Sequence, residues 1–235
     1  MSISVICRHK GPGPHPNGSP QSVHGQQGLT LHEDVVSDYA NDEQYLEFSD
    51  LAKARDFMHD EFRHYGRGLT GDNFDALNDY EGVFAELINR TARGEKFELP
   101  PDVYRIMEDL PVEREIELLD QAMAAHELSV PILVYRGLKT QYVADLKPGD
   151  VYSDKAFVST SLLKKVAKGK YFGGKGHSVL EIQLPPGTEC GTCIVDDIES
   201  SREVEITLPR NSRFKVISVS EFAVGRKAIR MELIS

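Results

Sequence analysis

The chain has 235 residues and a formal net charge of −10 at pH 7, enough length for one large domain or two small ones with a sizeable core. The acidic balance argues against a nucleic-acid binder that works through overall charge. Three cysteines are too few for a disulfide-built fold and suit a reducing compartment, and no apolar run approaches the roughly 18 residues of a membrane span. The apolar opening, Met1 to Cys7, is too short for a signal-peptide core. The expectation is a soluble monomer acting in a cytosol, secreted or injected, if at all, by a route without a cleavable signal.

Residues 8–30 are rich in Gly, Pro, Ser, His and Gln, a composition that cannot bury enough apolar surface to offset its ordering entropy. They define a flexible leader, residues 1–32, before a single domain over 33–235. In its first part, 33–129, Leu46, Leu51, Ala54, Phe57, Met58 and Phe62 recur at helical spacing until Gly66 and Gly68 stop them. A second helical segment follows Thr70 with Phe74, Leu77, Val83, Phe84, Leu87 and Ile88, weakened by Gly82 and closed by Gly94. A third runs from about Pro101 to Leu128 with a break near Pro111. From 130 to 235 the pattern becomes strands: 131–136, 151–161, 179–184 before Pro185-Pro-Gly187, 203–208 before Pro209, 214–222 and 229–234. A helical half before a strand-rich half is an α+β layout.

Three features carry chemistry. Glu203 and Glu205 are two apart in an alternating strand, so Val204, Ile206 and Leu208 face the core while both carboxylates face outward. An isolated Glu-x-Glu is most often a solvated strand face. The functional alternative is a carboxylate pair, one stabilising developing positive charge and the other orienting a nucleophile. Arg136 ends an apolar strand, where it serves either a structural ion pair or a bidentate clamp on phosphate. Ser159-Thr160-Ser161 follows Phe157-Val158 and can supply hydroxyls to a pocket floor, although such triplets are common in strands and turns.

Taken together and in this order, Tyr135-Arg136-Gly137-Leu138, Phe157-Val-Ser159-Thr160-Ser161 and Glu203-Val-Glu205 resemble the signature of mono-ADP-ribosyltransferases, above all the bacterial and phage exoenzyme-type toxins. Thr70-Gly71-x-x-Phe74-x-x-Leu77-Asn78 resembles the helix that closes over NAD in that family. The resemblance runs from about Ser37 to the C-terminus. It implies two packed β-sheets forming an NAD cleft with an N-terminal helical cap. It also implies NAD as co-substrate, no metal, and a target protein carrying an acceptor arginine. Arg136 would hold the NAD phosphates, Ser159 would help position Glu205, Glu205 would bond the ribose 2′-hydroxyl as nicotinamide leaves, and Glu203 would align the acceptor. Phe74, Asn78, Gly137, Gln141, Thr160, Tyr171 and Phe172 would complete the NAD contacts, with Lys175 assisting at the phosphates. A glutamate rather than a glutamine at 203 favours arginine as the acceptor.

The chain also departs from that pattern. Leu69 stands where many relatives carry Tyr, and Ser200 stands where an aromatic residue would grip the target. A glycohydrolase that transfers ADP-ribose to water, another acceptor such as nucleic acid, and a non-enzymatic binding module are the alternatives. Gly169 to Lys175 fits P-loop spacing, but Gly176 replaces the required Ser or Thr and no apolar strand precedes it. Cys190-Gly-Thr-Cys193 is a lone pair between strands, read as small residues rather than a zinc or redox site. The eight histidines show no metal-ligand spacing.

Overall fold

The helical part begins where the sequence supplies a cap. Helix α1 (Leu51–Glu61) starts at Asp50, whose side chain accepts from the N–H groups of Ala52 and Lys53 at 2.9 and 3.1 Å. Ala54, Met58 and Phe62, one turn apart, are all buried. A short 3-10 turn, Tyr65–Gly68, ends that run at the expected glycines. Helix α2 (Gly71–Glu81) opens on a reciprocal cap: Thr70 Oγ1 accepts from the Asn73 N–H at 3.2 Å, and Asn73 Oδ1 accepts from the Thr70 N–H at 3.0 Å. Asn73 Nδ2 also donates to the Leu118 carbonyl at 3.0 Å, which docks α2 on helix α4 (Val112–Met123). Helix α3 (Ala85–Ala92) lies between them in sequence.

The computed structural model describes residues 45–81, 84–96, 111–169, 177–192 and 203–235. The expected leader, most of the loop before Glu203 (including Ser200), Tyr171, Phe172, Lys175 and Cys193 lie outside them. So does 101–110, the first part of the expected third helix; the described part begins at Val112, directly after Pro111.

The strands are β1 (Ile132–Lys139), β2 (Val151–Ser153), β3 (Val158–Ser161), β4 (His177–Leu184), β5 (Glu205–Leu208), β6 (Arg213–Ala223) and β7 (Arg226–Leu233). Between β3 and β4 sits a single helical turn, α5 (Lys164–Ala167). Leu77, Tyr80, Ile88, Leu119 and Met123 of the helices share one buried cluster with Ile132, Val134, Phe157, Ile182, Ile206 and Phe214 of the sheet part.

The α+β class holds, but the expected two sheets do not. Among the described residues the strands form one mixed seven-stranded sheet in the order β2-β6-β7-β4-β1-β3-β5. The reason lies at one seam. β1 pairs with β4 through eight residues, from Ile132↔Leu184 to Lys139↔His177, but with β3 only through Tyr135↔Ser161. That single antiparallel link keeps the sheet continuous while β1 and β3 are otherwise unpaired to each other. A second correction concerns 151–161, which is two strands: Asp154 to Phe157 interrupt the run, so β2 pairs with β6 and β3 with β5.

Candidate active site

The β1–β3 seam opens a cleft. Among its lining residues are Asn89, Arg136, Gly137, Ser159, Thr160, Glu203 and Glu205. In β1, Ile132 and Val134 point into the main core, and Arg136, two further on, follows on their side of the strand. Its side chain is only 16 % exposed. Arg136 Nη1 donates to the Ser159 carbonyl at 3.1 Å, which bridges the seam. Arg136 Nη2 lies 3.7 Å from the buried Asp154 carboxylate.

The β3–β5 register joins the two motifs residue by residue: Ser159 lies opposite Thr207, Thr160 opposite Ile206 and Ser161 opposite Glu205. Ser159 and Thr207 share a face, and Glu205 sits on that face two residues before Thr207. Both hydroxyls bond the Glu205 carboxylate, with Thr207 Oγ1 3.0 Å from Oε1. Thr160 instead donates to the Ile206 carbonyl at 2.6 Å, and Ser161 to the Glu203 carbonyl at 2.5 Å. Thr160 and Ser161 therefore hold backbone.

The expected Glu203-Val-Glu strand needs one correction. The strand begins at Glu205, and Val204 has φ +40°, a conformation that a β-branched residue rarely adopts. Its side chain is nevertheless buried in the core, as the alternating pattern requires. The turn is held from β3: the Leu162 N–H donates to the Val204 carbonyl at 3.2 Å, beside the Ser161 bond to Glu203. Such strain persists where its surroundings over-determine it, and it clusters at functional sites. It presents Glu203 at the exposed rim of the cleft while Glu205 lies half-buried within it.

Both carboxyls titrate above the ordinary glutamate range. Partial desolvation against the cleft wall pushes Glu203 up, although the residue as a whole stands at the exposed rim. Burial also raises Glu205; the bonds from Ser159 and Thr207 pull it down, the neighbouring Glu203 charge raises it and Arg136 lowers it, with a net upward shift.

Two residues that sequence reasoning missed complete the site. Asn89 Nδ2 donates to the Tyr80 hydroxyl at 3.0 Å, and that hydroxyl lies 3.3 Å from Ser159 Oγ. A hydrogen-bonded chain thus runs from α3 through Tyr80 and Ser159 to Glu205. Asn89 Oδ1 is buried with no hydrogen-bond partner among the described residues, an orphaned acceptor on a cleft wall. Conversely, Phe74, Asn78 and Gln141 are not among the cleft's lining residues. The inward face of α2 consists of Asn73, Ala76, Leu77 and Tyr80, which turns Asn78 to solvent and leaves Phe74 half-buried. Gln141 is exposed in the turn Thr140–Tyr142 after β1. Among the described residues no three His, Cys, Asp or Glu side chains group as metal ligands, and no helix is long and apolar enough to cross a membrane.

The chain is similar to known proteins over most of its described length. The family model described as ADP-ribosyltransferase exoenzyme matches residues 54–233. The protein named NAD(+)--arginine ADP-ribosyltransferase EFV, from Enterococcus faecalis, is 27% identical over 162 residues, which are 68% of this chain and 31% of that protein. An uncharacterized protein, R217, from Acanthamoeba polyphaga mimivirus is 28% identical over 123 residues, 51% of this chain and 16% of that protein. The chain thus spans less than a third of either relative. Among solved structures, Plx2a, an ADP-ribosyltransferase toxin from Paenibacillus larvae, superposes with a TM-score of 0.64 at 21% identity, covering 81% of this chain and 100% of that one. C3stau2 from S. aureus, solved with NAD, gives a TM-score of 0.62 at 18% identity, covering 82% and 100%. At these identities the structural matches speak for the fold.

Proposed function

The chain belongs to the ADP-ribosyltransferase exoenzyme family, and from that premise we propose that it splits NAD and transfers the ADP-ribose to an arginine side chain of a target protein, releasing nicotinamide. The carrying observation is the placement of Glu205: a half-buried carboxylate fixed by two hydroxyls, with an arginine across the same cleft and a second carboxylate at its rim. The residues present fit NAD. Arg136 supplies a cation for its phosphates, Gly137 and Thr160 line the wall beside it, and the orphaned Asn89 Oδ1 supplies an acceptor for a ribose hydroxyl or an amide. The name of the E. faecalis relative supports arginine as the acceptor, and the glutamate at 203 agrees with it.

The division of labour follows from the environments. Breaking the bond to nicotinamide builds positive charge on the ribose. A carboxylate already fixed beside it stabilises that charge more in the transition state than in the ground state. Glu205 takes this role, held in place by Ser159 and Thr207. A guanidinium is cationic and a poor nucleophile, so Glu203 orients it and accepts its proton. The chain acts as a monomer on a protein target, with no metal and no membrane contact.

The raised carboxyls predict the pH dependence. Ionised Glu205 is the active form, so kcat/KM for NAD should fall on the acid side with an inflection above the ordinary glutamate range. Glu203→Gln removes a charge that raises Glu205, so it should move that inflection down. Nicotinamide release measured across pH for both proteins checks this, and a limb that stays put in the variant contradicts it. Asn89→Ala should raise KM for NAD by about tenfold through a lost cleft contact and a looser Tyr80. Steady-state kinetics test that prediction, and an unchanged KM removes Asn89 from the site.

A further inference from the structure

One buried carboxylate has no part in the chemistry above. Asp154 directly follows β2 and is 7% exposed. Its own N–H donates to the Ser212 carbonyl at 3.2 Å, and its Oδ1 accepts from the Ala156 N–H at 3.0 Å, so the carboxylate is fixed by local backbone. Two guanidiniums converge on it from different elements. Arg93, at the end of α3, donates from Nε and Nη2 at 2.9 Å each, a bidentate fork. Arg136 of β1 places Nη2 3.7 Å from Oδ2. Two cations share one buried anion; Arg93 also feels the Glu95 charge, and Arg136 also faces Glu205 in the cleft.

We propose that Asp154 is a positioning residue for dinucleotide binding: it locks Arg93 and, through the shared carboxylate, aims Arg136 at the diphosphate of the substrate. This rests on the NAD reading above. The Ser159 carbonyl and the Asp154 carboxylate hold Nη1 and Nη2 of Arg136 from two sides, which leaves a planar fork with a set orientation. The same carboxylate ties α3, and with it Asn89, to the β1–β3 seam. Asp154 thus adds a link between the two cleft walls beside the Asn89–Tyr80–Ser159 chain.

The test is a double-mutant cycle of Asp154→Asn and Arg136→Lys in the full chain. NAD binding is read by calorimetry, and melting temperature is read in parallel. Asp154→Asn should weaken NAD binding by roughly ten- to a hundredfold, the scale of a misplaced binding group. Because Asp154 acts through Arg136, the double variant should bind NAD no worse than Arg136→Lys alone. Losses that multiply in the double variant overturn the proposal. So does a lowered melting temperature with unchanged NAD affinity, which would mark a purely structural ion pair, and so does tighter binding in Asp154→Asn. Should Asp154→Asn fail to fold, Asp154→Glu keeps the charge and shifts the carboxylate by one methylene. A folded Asp154→Glu protein with wild-type NAD affinity would equally refute the proposal. A wild-type protein that binds no NAD refutes the reading beneath it, whereas NAD binding indifferent to residue 154 refutes this inference alone.

Discussion

Glu205→Gln should abolish NAD cleavage, lowering kcat on the order of 10³-fold or more, with the fold intact. Glutamine keeps the shape and can still meet the hydroxyls of Ser159 and Thr207, but it carries no charge to set against the positive charge that builds on the ribose. The loss should fall on kcat and kcat/KM alike, because the interaction is made chiefly in the transition state. Stability should move the other way. The folded protein holds the Glu205 proton more tightly than the unfolded chain does, so this group's contribution to stability is complete below the unfolded pKa and is lost as pH rises through the folded one. At neutral pH the buried charge is therefore a cost that glutamine lacks, and the variant should melt at or above the wild-type temperature. An active Glu205→Gln protein, or one that melts markedly lower, contradicts the role assigned here.

Glu203→Gln should separate transfer from cleavage. Glu203 stands at the exposed rim, off the Ser159–Glu205–Thr207 cluster, and is placed there by the Val204 turn. Removing its charge should leave NAD cleavage to water measurable while arginine transfer falls roughly 10²- to 10⁴-fold, the range for loss of a general base. Nicotinamide release and label incorporation into an arginine acceptor, followed together, give the ratio. Equal loss of both activities would place Glu203 in the cleavage step and remove the distinction between the two carboxylates.

Much of this was legible in the sequence, for identifiable reasons. The α+β class followed from a change in hydrophobic period near residue 130, because burial on a helix stripe and on a strand face leaves different spacings. Arg136, Ser159, Glu203 and Glu205 meet in one cleft because β3 and β5 pair in register and β1 adjoins them. Of the Cys190 motif, the described part is packed in the interior, with Cys190 and Thr192 both buried. Burial raises the Cys190 thiol far above its ordinary value. Gly191 exchanges two backbone hydrogen bonds with Thr207, and a Cβ there would lie 2.5 Å from the Tyr65 hydroxyl.

What stayed hidden depends on tertiary packing. The single link between β1 and β3 joins what read as two sheets, and nothing local in either strand encodes it. The left-handed turn at Val204 runs against the preference of its own residue and is imposed by bonds from β3. Asn89 follows the buried Ile88 on α3 and gives no periodic signal of its own. Its position at the cleft depends on how α3 lies against Tyr80 and the sheet. Asn78 fitted a motif, but Thr70 and Asn73 set the start and docking of α2 and so turn it outward.

The most direct test incubates the wild-type protein and Glu205→Gln with labelled NAD and a cell lysate, then maps the label by gel and mass spectrometry. Label on protein arginine side chains with the wild type, and none with the variant, is the predicted result. NAD left intact by the wild type, nicotinamide released with no labelled macromolecule, or equal labelling by both proteins would contradict it.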